Sequence, residues 1–285
     1  MKGSETSAVS GIIDAHQHFW QYNATQHSWI NDDMAIIRKD FMPADLQPLL
    51  EANQVAGCVA VQADQSADET DFLLNLAANN SFIKGIVGWV DLRADNLQQQ
   101  LEHYTQFRKL KGFRHILQGE EPAFMLQPAF VKGIGLLKRF NYTYDILIYP
   151  QHLSAAIELV KQLPEQAFVI DHLAKPYISK GILGEWKTQI NTIAQYPNVY
   201  CKVSGMVTEA DMRHWKPSDF TPYLDEVSQA FGTDRLMFGS DWPVCLAAAS
   251  YHDTLQIVKD YFSTFSMAEQ GKLFTANAIT FYHLI

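Results

Sequence analysis

The chain has 285 residues, a formal net charge of −9, and 47% hydrophobic against 19% charged residues, the balance of a globular protein with room for a sizeable core. That acidity argues against a nucleic-acid partner, no stretch approaches the ~20 apolar residues of a membrane span, and the polar start MKGSETSAVSG lacks the apolar segment of a secretory signal, so a cytoplasmic protein is expected. Cys58, Cys201 and Cys245 are far apart, and two of them sit in apolar runs, which predicts buried free thiols rather than disulfides.

Short β-rich runs alternate with helical patterns along the whole chain. Strands are expected over 11–17, 55–64, 83–92, 110–117, 142–149, 167–173, 199–206 and 235–243. Helical spacing follows each of them: 43–54, 68–80 with Asp68 as a plausible N-cap, 96–107, 128–140, 153–163, 184–195, 221–232 and 252–262. A last helix is expected over 268–282. The strands are short, rich in β-branched residues and nearly continuously apolar, as parallel strands buried on both faces are.

Eight strand–helix units in order predict an α/β fold, a (β/α)8 TIM barrel formed by residues 1–285 as a single domain. A doubly wound open sheet is the alternative, but no G-x-G-x-x-G or P-loop motif follows any strand. The longest connection, 19–42, is aromatic and polar, and it is expected to pack over the barrel mouth.

In such a barrel the chemistry gathers at the C-terminal strand ends. The first strand ends in IIDAHQHFW. Alternation of side chains sends His16 and His18 to the same face, together with Asp14. The other strand ends offer Gln62 and Asp64, Trp89 and Asp91, Arg114 and His115, Tyr149, Asp171 and His172, Lys202 and Ser204, then Asp241 and Trp242. Neighbours in a strand face opposite ways, so Arg114 is expected inward with His115 outward, and His172 inward with Asp171 either toward the helices or holding a neighbour by a hydrogen bond. Parity does not decide whether Lys202 or Ser204 faces the site. Asp145 and Asp64 read equally well as loop or cap residues and as functional ones, and His152 as a helix N-terminal residue.

The H-x-H of strand one, the DHLAKP after strand six and the GSDWP ending strand eight, in that order, resemble the amidohydrolase superfamily. More narrowly they resemble its amidohydrolase-2 branch, which holds sugar-lactone hydrolases such as L-fuconolactonases and L-rhamnonolactonases, together with pyrone-dicarboxylate lactonases. The resemblance spans the barrel from Ile12 to the last helix. It implies that His16, His18, His172 and Asp241 form the metal or catalytic constellation, with Asp241 as general base. Binuclear members carry a bridging lysine or carboxylate after strand four and a histidine after strand five. Here Arg114 and Tyr149 stand at those places, so the resemblance implies one divalent ion, zinc first, or none, since the branch includes metal-independent members.

Lactone hydrolysis needs a deprotonated water, a polarised carbonyl and a leaving ring oxygen. Asp241 is the expected base. A metal on His16 and His18 would serve as electrophile, or His18 and His172 would act as oxyanion donors. A dicarboxylate substrate would call for several arginines, and only Arg114 has favourable parity. Trp20, Trp89, Trp242 and Tyr149 offer aromatic faces, so a neutral sugar lactone is the expected small-molecule partner, with an L-fucono- or L-rhamnono-type lactone implied by the resemblance. The rivals are a metal-dependent decarboxylase of the same superfamily, a pyrone-dicarboxylate-type lactonase, a phosphoesterase that also begins with H-x-H, and a non-catalytic sugar-binding barrel. Sugar identity, ring size and oligomeric state are not written in the sequence.

Overall fold

A computed structural model of the protein describes residues 11–285; the polar stretch 1–10, read above for a secretory signal, lies outside the described residues. Eight strands form where the apolar runs placed them: β1 (Ile12–Gln17), β2 (Val55–Val61), β3 (Ile83–Gly88), β4 (Leu110–Ile116), β5 (Thr143–Leu147), β6 (Phe168–Ile170), β7 (Val199–Val203) and β8 (Leu236–Phe238). Each pairs in parallel with the next. The ring closes just past the strand ends, where the Asp241 N–H donates to the His16 carbonyl (2.8 Å) and the His18 N–H to the Trp242 carbonyl (2.7 Å). The chain is a (β/α)8 barrel.

The outer layer comprises α1 (Pro43–Ala52), α2 (Ala67–Asn79), α3 (Leu97–Tyr104), α4 (Pro128–Leu137), α5 (Leu153–Gln162), α6 (Gly184–Ile193), the short α7 (Met206–Glu209), α8 (Pro217–Phe231) and α9 (Tyr251–Phe262). The last expected helix is α10 (Met267–Gly271) and α11 (Asn277–Phe281) joined by a π-helical turn, Lys272–Ala276. The cap of α2 is Ser66, whose Oγ accepts the Glu69 N–H, and not Asp68, which lies in the first turn. Helix α8 starts at Pro217, earlier than expected, because proline suits the first helical turn and the Asp219 carboxylate folds back onto the Lys216 N–H. All three cysteines are free and buried. Among the described residues no helix is long and apolar enough to cross a membrane.

Two apolar layers result. The larger lies between strands and helices. The smaller fills the barrel with Ile13, Ala15, Val59, Val61, Val87, Val169 and Met237, and Phe281, Tyr282 and Leu284 close it from the strands' N-terminal side. Above this plug the barrel interior turns ionic, which sets the floor of the site.

Strict alternation fails at two strand ends. The β1–β2 register shifts between Asp14 and Gln17, a bulge that lets both Ala15 and His16 point inward. Asp14 therefore does not share a face with His16 and His18. It points toward α9, accepting from the Tyr251 hydroxyl (3.0 Å) and the Ser240 N–H (2.9 Å). The second failure is at β6, which stops at Ile170. His172, Leu173, Ala174 and Lys175 then all take positive φ, 54°, 55°, 58° and 50°. This left-handed turn, closed by Lys175 N–H to the His172 carbonyl (2.7 Å), costs about 1 kcal/mol or more per residue and concentrates strain where function sits.

Candidate active site

The site is a cavity of about 580 Å³ at the C-terminal ends of the strands, a size suited to one small ring compound. His18, Arg114, His172 and Asp241 lie at its floor, and Trp20, Trp29, Asn31 and Met34 from the long first connection form one wall. That connection packs over the mouth as expected; Trp20 is buried and bonds the Lys39 carbonyl through Nε1 (2.9 Å).

His16, His18 and Asp241 converge, all buried, with one ligating atom from each lying within 4.8 Å of the others. The His16 and His18 Nε2 atoms are 3.1 Å apart, and Asp241 Oδ1 is 3.5 Å from His18 Nε2 and 3.9 Å from His16 Nε2. His172 joins from the other side, its Nε2 3.7 Å from Asp241 Oδ1. It groups more closely with His16 and Asp171 than with His18, so the four groups read from the sequence meet, but three of them form the tight set. His18 Nδ1 faces the Val61 carbonyl (2.8 Å), which can only accept, so the His18 lone pair is on Nε2 and points at His16 and Asp241.

The His18 lone pair thus faces the Asp241 carboxylate, an arrangement that favours a cation between them. Three protein ligands with an open position suit a single catalytic divalent ion, and the outer partners of the histidines have the usual supporting pattern. The donor set fits such an ion. One competitor is present: Arg114 Nη1 stands 3.3 Å from His16 Nε2.

Burial keeps His16 and His172 neutral, their pKa values well below the ordinary histidine value. For Asp241 burial pulls upward, but His172, His18 and Lys175 outweigh it and hold the carboxyl below its usual range. Asp241 itself adopts φ +57°, which turns its carboxylate to the axis and sends the next residue outward.

That turn explains one misplacement. Trp242 does not line the cavity; it is buried against Phe19 and Phe41, with ring centroids at 6.1 and 5.2 Å. Trp89 is also outside the cavity, because β3 ends at Gly88 and the indole swings to His115, Nε1 to Nδ1 at 3.3 Å. Tyr149 and Trp20 do line it. Arg114 reaches the floor, with His115 outward against Phe124 and Phe130 as parity predicts. Its N–H groups are committed, however: Nε and Nη2 to Gln62 Oε1 (2.9 and 2.7 Å), Nη2 also to the Gln62 carbonyl, and Nη1 to Asp171 Oδ2 (3.0 Å).

Asp171 corrects the parity reading. It is inside the barrel, not among the helices, paired with Arg114 and with Lys202 Nζ (3.0 Å) and lying 3.3 Å from His16 Nδ1. Both Asp171 and His172 face inward because the strand has ended at Ile170 and the left-handed turn begins at His172. Lys202 and Ser204 both face inward too. Lys202 Nζ contacts Asp145 Oδ2 (2.5 Å) and lies 3.2 Å from His16 Nδ1, while Ser204 Oγ is 2.8 Å from His172 Nδ1. Asp145, for which the sequence left loop or cap and functional roles equally open, is a fully buried member of this charged layer and also accepts from the Tyr282 hydroxyl (2.7 Å). His152 ties the loops, its Nε2 lying 2.9 Å from the Glu120 carbonyl. Among the cavity residues that went unread is the charged pair Lys175 and Glu209. Lys175 was visible in DHLAKP, three residues past His172; Glu209 carried no signal.

The chain resembles known proteins over nearly its whole length. A family model described as amidohydrolase (Amidohydro_2) matches residues 13–284. An L-fucono-1,5-lactonase of Burkholderia multivorans is 39% identical over 284 residues, covering 95% of this chain and 96% of the relative. An L-rhamnono-gamma-lactonase of Scheffersomyces stipitis is 26% identical over 204 residues, 63% of this chain and 61% of that protein. A crystal structure of an amidohydrolase from Burkholderia multivorans with bound zinc superposes with a TM-score of 0.93 at 38% identity, covering 97% of this chain and 100% of that one.

Proposed function

The chain belongs to the amidohydrolase family, and from that premise we propose that it hydrolyses a neutral sugar lactone, of the L-fucono or L-rhamnono type, to the free acid. One observation carries the reading. His18, His172 and Asp241 converge at the floor of a cavity whose cations are already paired, Arg114 by Asp171 and Lys175 by Glu209. A dicarboxylate lactone would meet no free cation there, whereas a neutral ring meets aromatic faces and polar groups.

Asp241 accepts the proton of the attacking water. An ionised carboxylate held below its usual range is a weak base, so the water must become more acidic in the site. A divalent ion on His16, His18 and Asp241, zinc by analogy with the solved relative, would lower that water's pKa toward ~7 and polarise the carbonyl. Neutral His172, oriented by Ser204, can donate from Nε2 to the developing oxyanion when Nδ1 accepts from the Ser204 hydroxyl. The proton then travels from Asp241 to the departing ring oxygen. Arg114 is committed to Gln62 and Asp171 rather than to a substrate carboxylate.

The test is a pH-indicator assay of purified protein against neutral sugar lactones and a pyrone dicarboxylate, with and without chelator. Acid release from the neutral lactones is expected, falling about 10²–10⁴-fold in Asp241→Asn with the fold intact. No release from any lactone, with or without added zinc, overturns the reading, and carbon dioxide release from an aromatic acid would replace it with a decarboxylase.

A further inference from the structure

Lys175 and Glu209 reach the cavity from two different loops. Lys175 ends the left-handed turn that also carries His172. Glu209 ends α7, a four-residue helix launched from Gly205 at φ +62°. Their charged atoms meet at 3.0 Å, with side chains 16% and 19% exposed, and Lys175 Nζ sits 5.6 Å from the centre of the Tyr149 ring. Both side chains line the same cavity as Asp241.

The contact uses one of the three ammonium hydrogens and leaves Glu209 Oε2 free of protein partners among the described residues. The remaining ammonium hydrogens and the second carboxylate oxygen lie side by side on this pair, mostly shielded from water, and match two neighbouring hydroxyl oxygens in a gauche arrangement. The ammonium donates to one oxygen and the carboxylate accepts from the other. The pair is neutral overall, so it selects hydroxyls over carboxylates. The wall of Trp20, Trp29, Asn31 and Met34 in the same cavity is largely apolar and suits the C–H face of the same ring.

We propose that Lys175 and Glu209 form a diol clamp that selects lactones carrying two vicinal hydroxyl groups. The assignment rests on the lactonase reading above, and it names the feature of the substrate that the site recognises. Because Lys175 shares a turn with His172, the clamped hydroxyls lie on the ring that presents its carbonyl to His172 and Asp241.

The experiment compares a polyhydroxylated δ-lactone with δ-valerolactone, which has the same ring and no hydroxyls, in wild type, Glu209→Gln and Lys175→Met. The readout is the ratio of kcat/KM between the two lactones. Each variant should lower that ratio by about 10- to 100-fold, the range for a hydrogen bond to a charged group. In parallel, calorimetry with the non-hydrolysed lactams of the same two rings reads discrimination without turnover, and the variants should lose it by a similar factor. An unchanged ratio, with both substrates falling together, would make the pair a structural tie or a field on Asp241 and overturn the clamp. If wild type hydrolyses neither lactone, the lactonase reading falls while the lactam titration still decides the clamp: preference for the hydroxylated lactam that disappears in Glu209→Gln supports it, and no preference in wild type refutes it.

Discussion

Replacing Gly205 by alanine should move a histidine that is otherwise locked. A Cβ at this position would stand 2.5 Å from His172 Nδ1, 2.6 Å from its Cγ and 2.9 Å from its Cβ. Ordinary contact begins near 3.4 Å, so the ring must retreat by about 0.9 Å. It cannot do so by rotamer alone, since its backbone is left-handed and its Nδ1 is 2.8 Å from Ser204 Oγ. A misplacement of about 1 Å at a reacting centre costs on the order of 10²-fold. Stability also suffers: φ +62° costs alanine about 1 kcal/mol, and the overpacked contact adds ~1–3 kcal/mol. Gly181 supplies the control, with φ +63° and nothing within 4 Å of an added Cβ. Gly181→Ala should pay the backbone cost alone and leave turnover unaltered. Lactone hydrolysis by acid release and urea denaturation measure both effects. Gly205→Ala with kcat/KM within threefold of wild type, or Gly181→Ala with an equal loss, would refute the reasoning.

Lys202→Met should destabilise by ~3–5 kcal/mol in urea, because it strands Asp145 and Asp171 inside the barrel; adding Asp145→Asn should recover part of the loss, and a deficit below ~1 kcal/mol for the single variant contradicts this. Asp14 gives a pH signature. Burial, against hydrogen bonds from Ser240, His16 and Tyr251, pushes its carboxyl up from 3.8 to about 6. The folded state therefore holds this proton more tightly than the unfolded chain, so its contribution is complete below pH ~4 and fades as pH rises through 6, a change of up to ~3 kcal/mol. Asp14→Asn should flatten stability across that window, and an identical pH slope in both proteins would count against it. Metal analysis after zinc dialysis should find about one ion per chain, lost in His18→Ala; undiminished loading in the variant would remove His18 from the ligand set.

The fold was legible because a parallel barrel writes itself as apolar runs at even spacing, and no strand was missed. The constellation was legible because H-x-H, DH and the aspartate of GSDWP are each local. What escaped is what the strand period does not govern. Asp14 shares alternation with His16 on paper, but the bulge after it reverses its face. Asp171 looked outward because the reading carried strand geometry to 173, three residues beyond the real end of β6. Trp89 and Trp242 were assigned to the cavity by the same overreach at β3 and β8. Asp145 and Lys202 became meaningful only together, since a buried carboxylate and a buried ammonium explain each other across neighbouring layers of the barrel. Glu209 lies on a four-residue helix after a glycine, a feature with no periodic signature.

The left-handed turn after β6 bears on how this protein can be re-engineered. His172 and Lys175 hang from one frame of four residues, so inserting, deleting or prolinating any of them would shift an imidazole beside Asp241 and the ammonium beside Glu209 in a single stroke. Libraries aimed at a different ring should leave 172–175 alone. The segments 29–34 and 208–212 reach the same cavity from other loops, and variation there, with Glu209 kept, reshapes what is admitted while the His18, His172 and Asp241 cluster stays in register.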